Sequence, residues 1–147
     1  MDLLLFDICG RRYGIDLAAV RRVVRMVEIV PLAEAPPTVC GVVNFRGEIV
    51  PVIDMRRRCG FPPREPQPSD VLILVDARGG RAALPADAVA GVEPLTQEEM
   101  VPLEGVVPEV AHSQLVGRLR DETVVIYDLD GFLSDDEVAA GGVHDPS

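Results

Sequence analysis

Asp54 and Asp128 each close an apolar run and open a short segment, Met55-Arg56-Arg57-Arg58 in one case and Leu129-Asp130-Gly131-Phe132-Leu133 in the other. Two carboxylates in matched positions are the raw material of acid–base catalysis. The same placement suits an N-cap, where a carboxylate oxygen takes an orphan backbone N–H at the start of a helix, and this is the expected reading. Arginines late in the first segment and Gly60 beyond it suit a helix C-terminus. His112 and Ser113 adjoin in a Pro-, Val- and Glu-rich stretch, but no orienting acid or nucleophile elbow accompanies them. Cys9, Cys40 and Cys59 are odd in number and widely spaced, which fits neither a zinc site nor a disulfide framework. Arg78-Gly79-Gly80-Arg81 lacks the Lys-Ser/Thr of a phosphate loop and reads as a hairpin turn. Arg56-Arg57-Arg58 suits either an acidic partner or a solvated helix face. No catalytic set assembles, no cofactor or metal is expected, and the weight moves to binding or scaffolding.

The elements that carry these residues are drawn from 147 residues, enough for one ordinary domain with its own core. The net charge of −10 is uneven: residues 1–64 carry +3 and residues 65–147 carry −13. Such a chain is a poor ligand for nucleic acid or anionic membrane, and with 4% aromatics and no Trp it has little to stack bases on. No apolar stretch reaches the ~18–20 residues of a membrane span, and Met1-Asp2-Leu3-Leu4-Leu5 lacks the features of a signal peptide. A cytoplasmic location with reduced thiols is expected.

Apolar runs are short and rich in Val, Ile and Leu: Leu3–Ile8, Ile49–Ile53, Val71–Val75 and Thr123–Tyr127. Short β-branched runs separated by Pro and Gly predict strands. One helix is predicted at Leu17–Val24, where Val20, Val23 and Val24 share a face opposite Arg21, Arg22 and Arg25, with Asp16 as its N-cap. Turns are expected at Gly10-Arg11-Arg12 and Arg46-Gly47-Glu48, a rigid loop at Ala35-Pro36-Pro37, and a stiff spacer at Pro62–Pro68.

The chain also repeats itself. At an offset of 69, Asp7, Gly10, Arg12, Ala19, Val20 and Val23 fall on Asp76, Gly79, Arg81, Ala88, Val89 and Val92. At an offset of 74, Arg46, Glu48, Val50 and Asp54 fall on Arg120, Glu122, Val124 and Asp128. Two similar β units are expected, about 10–66 and 69–134, with the first strand open to sharing between them, within a single domain over 1–134. Residues 135–147 read as an acidic, flexible tail. Each half is marginal alone, so the two should share apolar surface.

Tyr13-Gly14-Ile15-Asp16, then Ala35-Pro36-Pro37, then Gly41-Val42-Val43-Asn44-Phe45-Arg46-Gly47 and Ile49-Val50-Pro51-Val52-Ile53-Asp54-Met55-Arg56 complete a longer pattern. In order and spacing, over roughly residues 2–134, it resembles the CheW-like family of chemotaxis coupling proteins. The resemblance implies a mainly β fold: two tandem five-stranded SH3-like β-barrel subdomains with short helices. It implies a non-enzymatic adaptor that couples the cytoplasmic tip of a methyl-accepting chemoreceptor to a chemotaxis histidine kinase, through the kinase's own CheW-like regulatory domain. An adaptor of the same fold for a motility, development or second-messenger pathway is the alternative, and a small hydrolase using Asp54, Asp128 or His112 is the remote one. Three positions depart from the family pattern: Arg22 stands where an acid is usual, Phe45 where Leu is usual, and Pro85 lies in a strand, suggesting a short or edge strand.

The expected receptor surface comprises Val20, Arg22, Val23, Gly41, Asn44, Arg46, Val89 and Val92. The four valines either line a groove between the halves or fill the core. The alternative for Gly41 is a purely structural one, a small residue that lets backbone approach closely. Arg46, in a hairpin turn, is expected to be exposed and ready to pair with carboxylates, or else to pair with Glu48. Val50, Val52 and Val124 are the expected kinase contacts, near strand edges.

Overall fold

A computed structural model describes residues 1–77, 80–102, 114–119 and 122–133. The strands are β1 (Asp2–Ile8), β2 (Arg11–Asp16), β3 (Val20–Arg25), β4 (Val39–Phe45), β5 (Glu48–Ile53), β6 (Val71–Ala77), β7 (Gly80–Ala86), β8 (Ala88–Pro94), β9 (Met100–Pro102), β10 (Gln114–Leu119) and β11 (Glu122–Tyr127). Two short helices, α1 (Met55–Arg58) and α2 (Leu129–Phe132), follow β5 and β11. The fold is mainly β, in two sheets of order β8-β1-β2-β11-β10-β9 and β3-β6-β7-β5-β4.

The repeat is visible in these orders. Offset 69 relates β1 to β6, β2 to β7 and β3 to β8, and offset 74 relates β4 to β10 and β5 to β11. Exchanging each strand for its counterpart turns β3-β6-β7-β5-β4 into β8-β1-β2-β11-β10, the other sheet without its three-residue β9. Each sheet therefore takes strands from both halves of the chain, and the sheets do not coincide with segments 10–66 and 69–134. Parallel pairings join the halves: β11 to β2 from Val125↔Tyr13 to Tyr127↔Ile15, and β5 to β7 at Val52↔Ala83.

Three apolar clusters fill the molecule. One draws on both sheets, with Leu4, Phe6, Ile8, Tyr13 and Ile15 meeting Ile53, Ile73, Val75 and Leu84. A second lies on the other face of the first sheet, around Leu3, Leu5, Val124 and Ile126. A third lies on the other face of the second, around Val43, Val50, Val52, Leu72 and Leu74. With side chains alternating between faces, β1 and β6 are buried on both sides, which is why Leu3–Ile8 and Val71–Val75 read as nearly unbroken apolar runs.

The predicted helix at Leu17–Val24 is not present. Asp16 does cap, its side chain accepting from the Ala18 N–H, but the turn it starts is a single 3-10 turn, Leu17–Ala19, and the chain then extends as β3. Three β-branched valines in five residues favour extension, and β6 offers a free edge that β3 takes from Val20↔Val75 to Arg25↔Val71. The turn after β1 falls at Cys9-Gly10, with Arg11 and Arg12 already in β2. Strand β7 runs the full seven residues and lies inside its sheet. Pro85 is tolerated near its end because the pairing with β5 is confined to Ala83. His112, Ser113, Arg78, Gly79, Arg120 and the tail lie outside the described residues.

Candidate partner-binding surfaces

Strands β3 and β8 occupy equivalent end positions in the two sheets. Val20 and Val23 pair in register with Val75 and Ile73, while Val89 and Val92 pair with Phe6 and Leu4. All four partners belong to the cluster that the sheets share. Val20 and Val89 pack against that cluster, whereas Val23 and Val92 remain 38% and 49% exposed. On each of the two strands, one valine of the pair thus seals the shared core and the other opens to solvent.

The β4–β5 hairpin turns on Arg46 and Gly47, both with left-handed φ, +52° and +86°. Such a two-residue turn matches the twist of a hairpin. The Asn44 Oδ1 accepts from the Gly47 N–H at 2.8 Å, so Asn44 holds the turn while standing exposed. Arg46 is exposed and does not pair with Glu48, which takes Arg81 instead. The Arg46 guanidinium lies over the Phe45 ring, 5.2 Å from its centroid, and the Arg22 guanidinium lies over the same ring at 5.6 Å. Thus Arg22, Asn44 and Arg46 gather at one rim of the second sheet. The isolated antiparallel bridge Val30↔Val42, which carries the chain from β3 onto β4, curls the ends of that sheet toward one another.

Gly41 lies beneath this bridge. Its φ is +150°, and a Cβ there would sit 2.2 Å from the Val30 carbonyl oxygen. It is buried, so its contribution is the close backbone approach rather than an exposed contact.

The kinase contacts expected at Val50, Val52 and Val124 need correction. They are 1%, 0% and 0% exposed and fill the second and third clusters. In strands covered on both faces, nearness to an edge does not give exposure. The exposed apolar residue of β5 is Ile49.

Asp54 and Asp128 cap: Asp54 Oδ1 accepts from the Arg57 N–H at 3.0 Å, and Asp128 Oδ1 from the Asp130 N–H at 3.2 Å. The run Arg56-Arg57-Arg58 is not one uniform face. Arg57 is exposed, whereas Arg56 turns inward onto Asp87 at 2.9 Å. Asp87 also accepts from Arg64 and from the Cys9 N–H, each at 2.9 Å. Partial burial opposes its ionisation, but these donors outweigh it and hold its carboxyl below the ordinary carboxylate range. Arg64 also reaches Asp70, so the Pro-rich segment is tied down beside a cleft of about 680 Å³. Sequence reasoning passed over this network, as it did the Phe45 ring; an aromatic directly before an exposed arginine was the available signal.

The CheW-like domain family profile matches residues 2–137. The chemotaxis protein CheW of Rhizobium meliloti is 25% identical over 138 residues, 92% of this chain and 89% of that one. The chemotaxis protein CheW of Klebsiella aerogenes is 27% identical over 140 residues, 94% and 84% of the two chains. The crystal structure of the scaffolding protein TtCheW from Thermoanaerobacter tengcongensis superposes with a TM-score of 0.79 at 28% identity, covering 92% of this chain and 95% of that one. The chain belongs to the CheW-like domain family. Its role is that of a chemotaxis adaptor.

Proposed function

We propose that the protein is a cytoplasmic, non-enzymatic adaptor that bridges a chemoreceptor's signalling tip and the CheW-like regulatory domain of a chemotaxis histidine kinase. The observation that carries this reading is the pair of open valines, Val23 and Val92, at equivalent places on the outer strands that flank the shared core. An apolar stripe of a receptor helical hairpin fits such a flank. Asn44 and Arg46 would add polar contacts at the neighbouring hairpin. On the kinase side, β5 offers Ile49, and related barrels would pack against one another. Signal would pass because a bridging protein that binds two kinase arrangements unequally biases one of them.

The test is an affinity-tag pull-down from native cells, wild type beside Arg46→Glu, read by mass spectrometry. Receptor and kinase are expected with the wild type, and loss of at least one by about tenfold, ~1.4 kcal/mol, with the variant. Recovery of neither partner by the wild type would sink the chemotaxis reading. Recovery of a receptor-like protein or kinase of another pathway would favour the alternative adaptor role.

A further inference from the structure

Arg12, Arg21, Arg56, Arg64 and Arg81 each have a carboxylate within hydrogen-bonding distance or close to it. Among the described residues, Arg22 and Arg46 have no such carboxylate, and what they share is the Phe45 ring. In a chain of net charge −10, two exposed guanidiniums on one ring stand out, because the acid that lines the same cleft, Glu48, is taken by Arg81. The ring's negative face steadies a cation without neutralising it. Phe45 is itself anchored, half-buried against the cluster around Val43 and Leu74. Both cations are therefore positioned before any partner arrives, which lowers the ordering cost of binding. A guanidinium held over a ring face still has N–H donors to offer a bidentate carboxylate.

We propose that Arg22, Phe45 and Arg46 form a two-pronged clamp for a pair of carboxylates on the receptor tip, and that Arg22 sets which tips this adaptor accepts. The inference rests on the adaptor reading above. Since both cations sit on one ring, the two acids lie within about two helical turns of each other, ~11 Å. A protein surface suits this better than a polyanion, because the chain's strongly acidic second half repels extended phosphate backbones. Arg22 also adjoins Val23 on β3, an end strand of its sheet. The two side chains point to opposite faces of β3, Arg22 in register with Leu74 and Val23 with Ile73, so the clamp is a contact additional to the valine flank.

The experiment titrates the full-length chain with two purified probes from the same organism: the receptor's signalling-tip fragment and the kinase's CheW-like regulatory domain. Wild type, Arg22→Gln, Arg46→Gln and Phe45→Leu are compared at two salt concentrations, each with a thermal melt. Both Arg→Gln variants are expected to melt like the wild type, to bind the tip about tenfold more weakly, and to lose much of the salt dependence. Phe45→Leu should weaken tip binding several-fold with both charges still present, a readout that charge alone does not predict. Unchanged tip affinity for a normally folded Arg22→Gln overturns the clamp while leaving the adaptor reading intact. A loss confined to the kinase domain overturns the receptor as occupant. Failure of the wild type to bind either probe overturns the adaptor reading and the clamp with it.

Discussion

One guanidinium nitrogen of Arg64 lies 2.9 Å from Asp87, 23 positions further along the chain, and the same nitrogen lies 2.9 Å from Asp70. The contact ties the proline-rich segment to the end of β7. Replacing Asp87 by Ala removes the acceptor for Arg64, Arg56 and the Cys9 N–H together. The expected cost is about 1–2 kcal/mol, the lower part of the range for charged hydrogen bonds, because the side chain is one-third exposed. The sign of the pH dependence follows from the depressed carboxyl. Its contribution is full above the unfolded Asp value, ~3.9, and is lost as pH falls through the lower folded value. Melts of wild type and Asp87→Ala should differ by a constant amount from pH 5 to 7 and converge in stronger acid.

Gly41→Ala is expected to destabilise the protein by about 2 kcal/mol or more, since the new Cβ meets the Val30 carbonyl and the φ is unfavourable. That corresponds to a melting-point drop of roughly 4–8 °C. Gly47→Ala meets no neighbouring atom and bears only the left-handed φ, so a cost near ~1 kcal/mol is expected. Equal melts for the two variants would contradict the close approach at Val30.

Val52→Ala and Val124→Ala should each cost about 1–3 kcal/mol, the usual toll of core truncation. Ile49→Ser, at a site 42% exposed, should stay within about 0.5 kcal/mol. A binding defect in the two valine variants should therefore track their melting points. A defect in a fully folded Ile49→Ser would point to direct contact.

The three thiols should divide one against two. Cys9 is exposed. Burial pushes the Cys40 thiol up to about 11, and also raises that of Cys59, whose sulfur is 3.6 Å from the Tyr127 hydroxyl. Thiolate is the reactive form, so a disulfide reagent at pH 8 should titrate one fast equivalent natively and two more only in denaturant. Three fast equivalents would contradict the packing of Cys40 and Cys59.

The sequence announced features that are local in the chain. Asp54 and Asp128 reveal themselves as caps because cap and helix are a few residues apart, and Arg46-Gly47 reveals a hairpin because turn chemistry is short-range. Strand β3 stayed hidden: Val20, Val23 and Val24 satisfy helical spacing, and what makes them extended is β6, some fifty positions away. Val50, Val52 and Val124 were misplaced because strands covered on both faces bury residues that a one-faced sheet would expose. The meeting of Arg22 with Phe45 depends on β3 and β4 coming together from opposite ends of a sheet order, which no local pattern records.

The exchange of strands between the two halves has a consequence for how the protein is made. When β1 and β2 leave the ribosome, their neighbours β8 and β11 have yet to be synthesised; Leu4 awaits Val92 and Tyr13 awaits Val125. The second sheet can be completed once β7 is out, but the first cannot be finished until β11 has been made, so its folding is dominated by long-range pairing and falls in the slow regime of such topologies. Until then the nascent first half carries uncovered strand edges, a state open to wrong pairing and to chaperones. A message cut short after β8 would yield a second sheet with all its strands beside a first sheet lacking β9, β10 and β11.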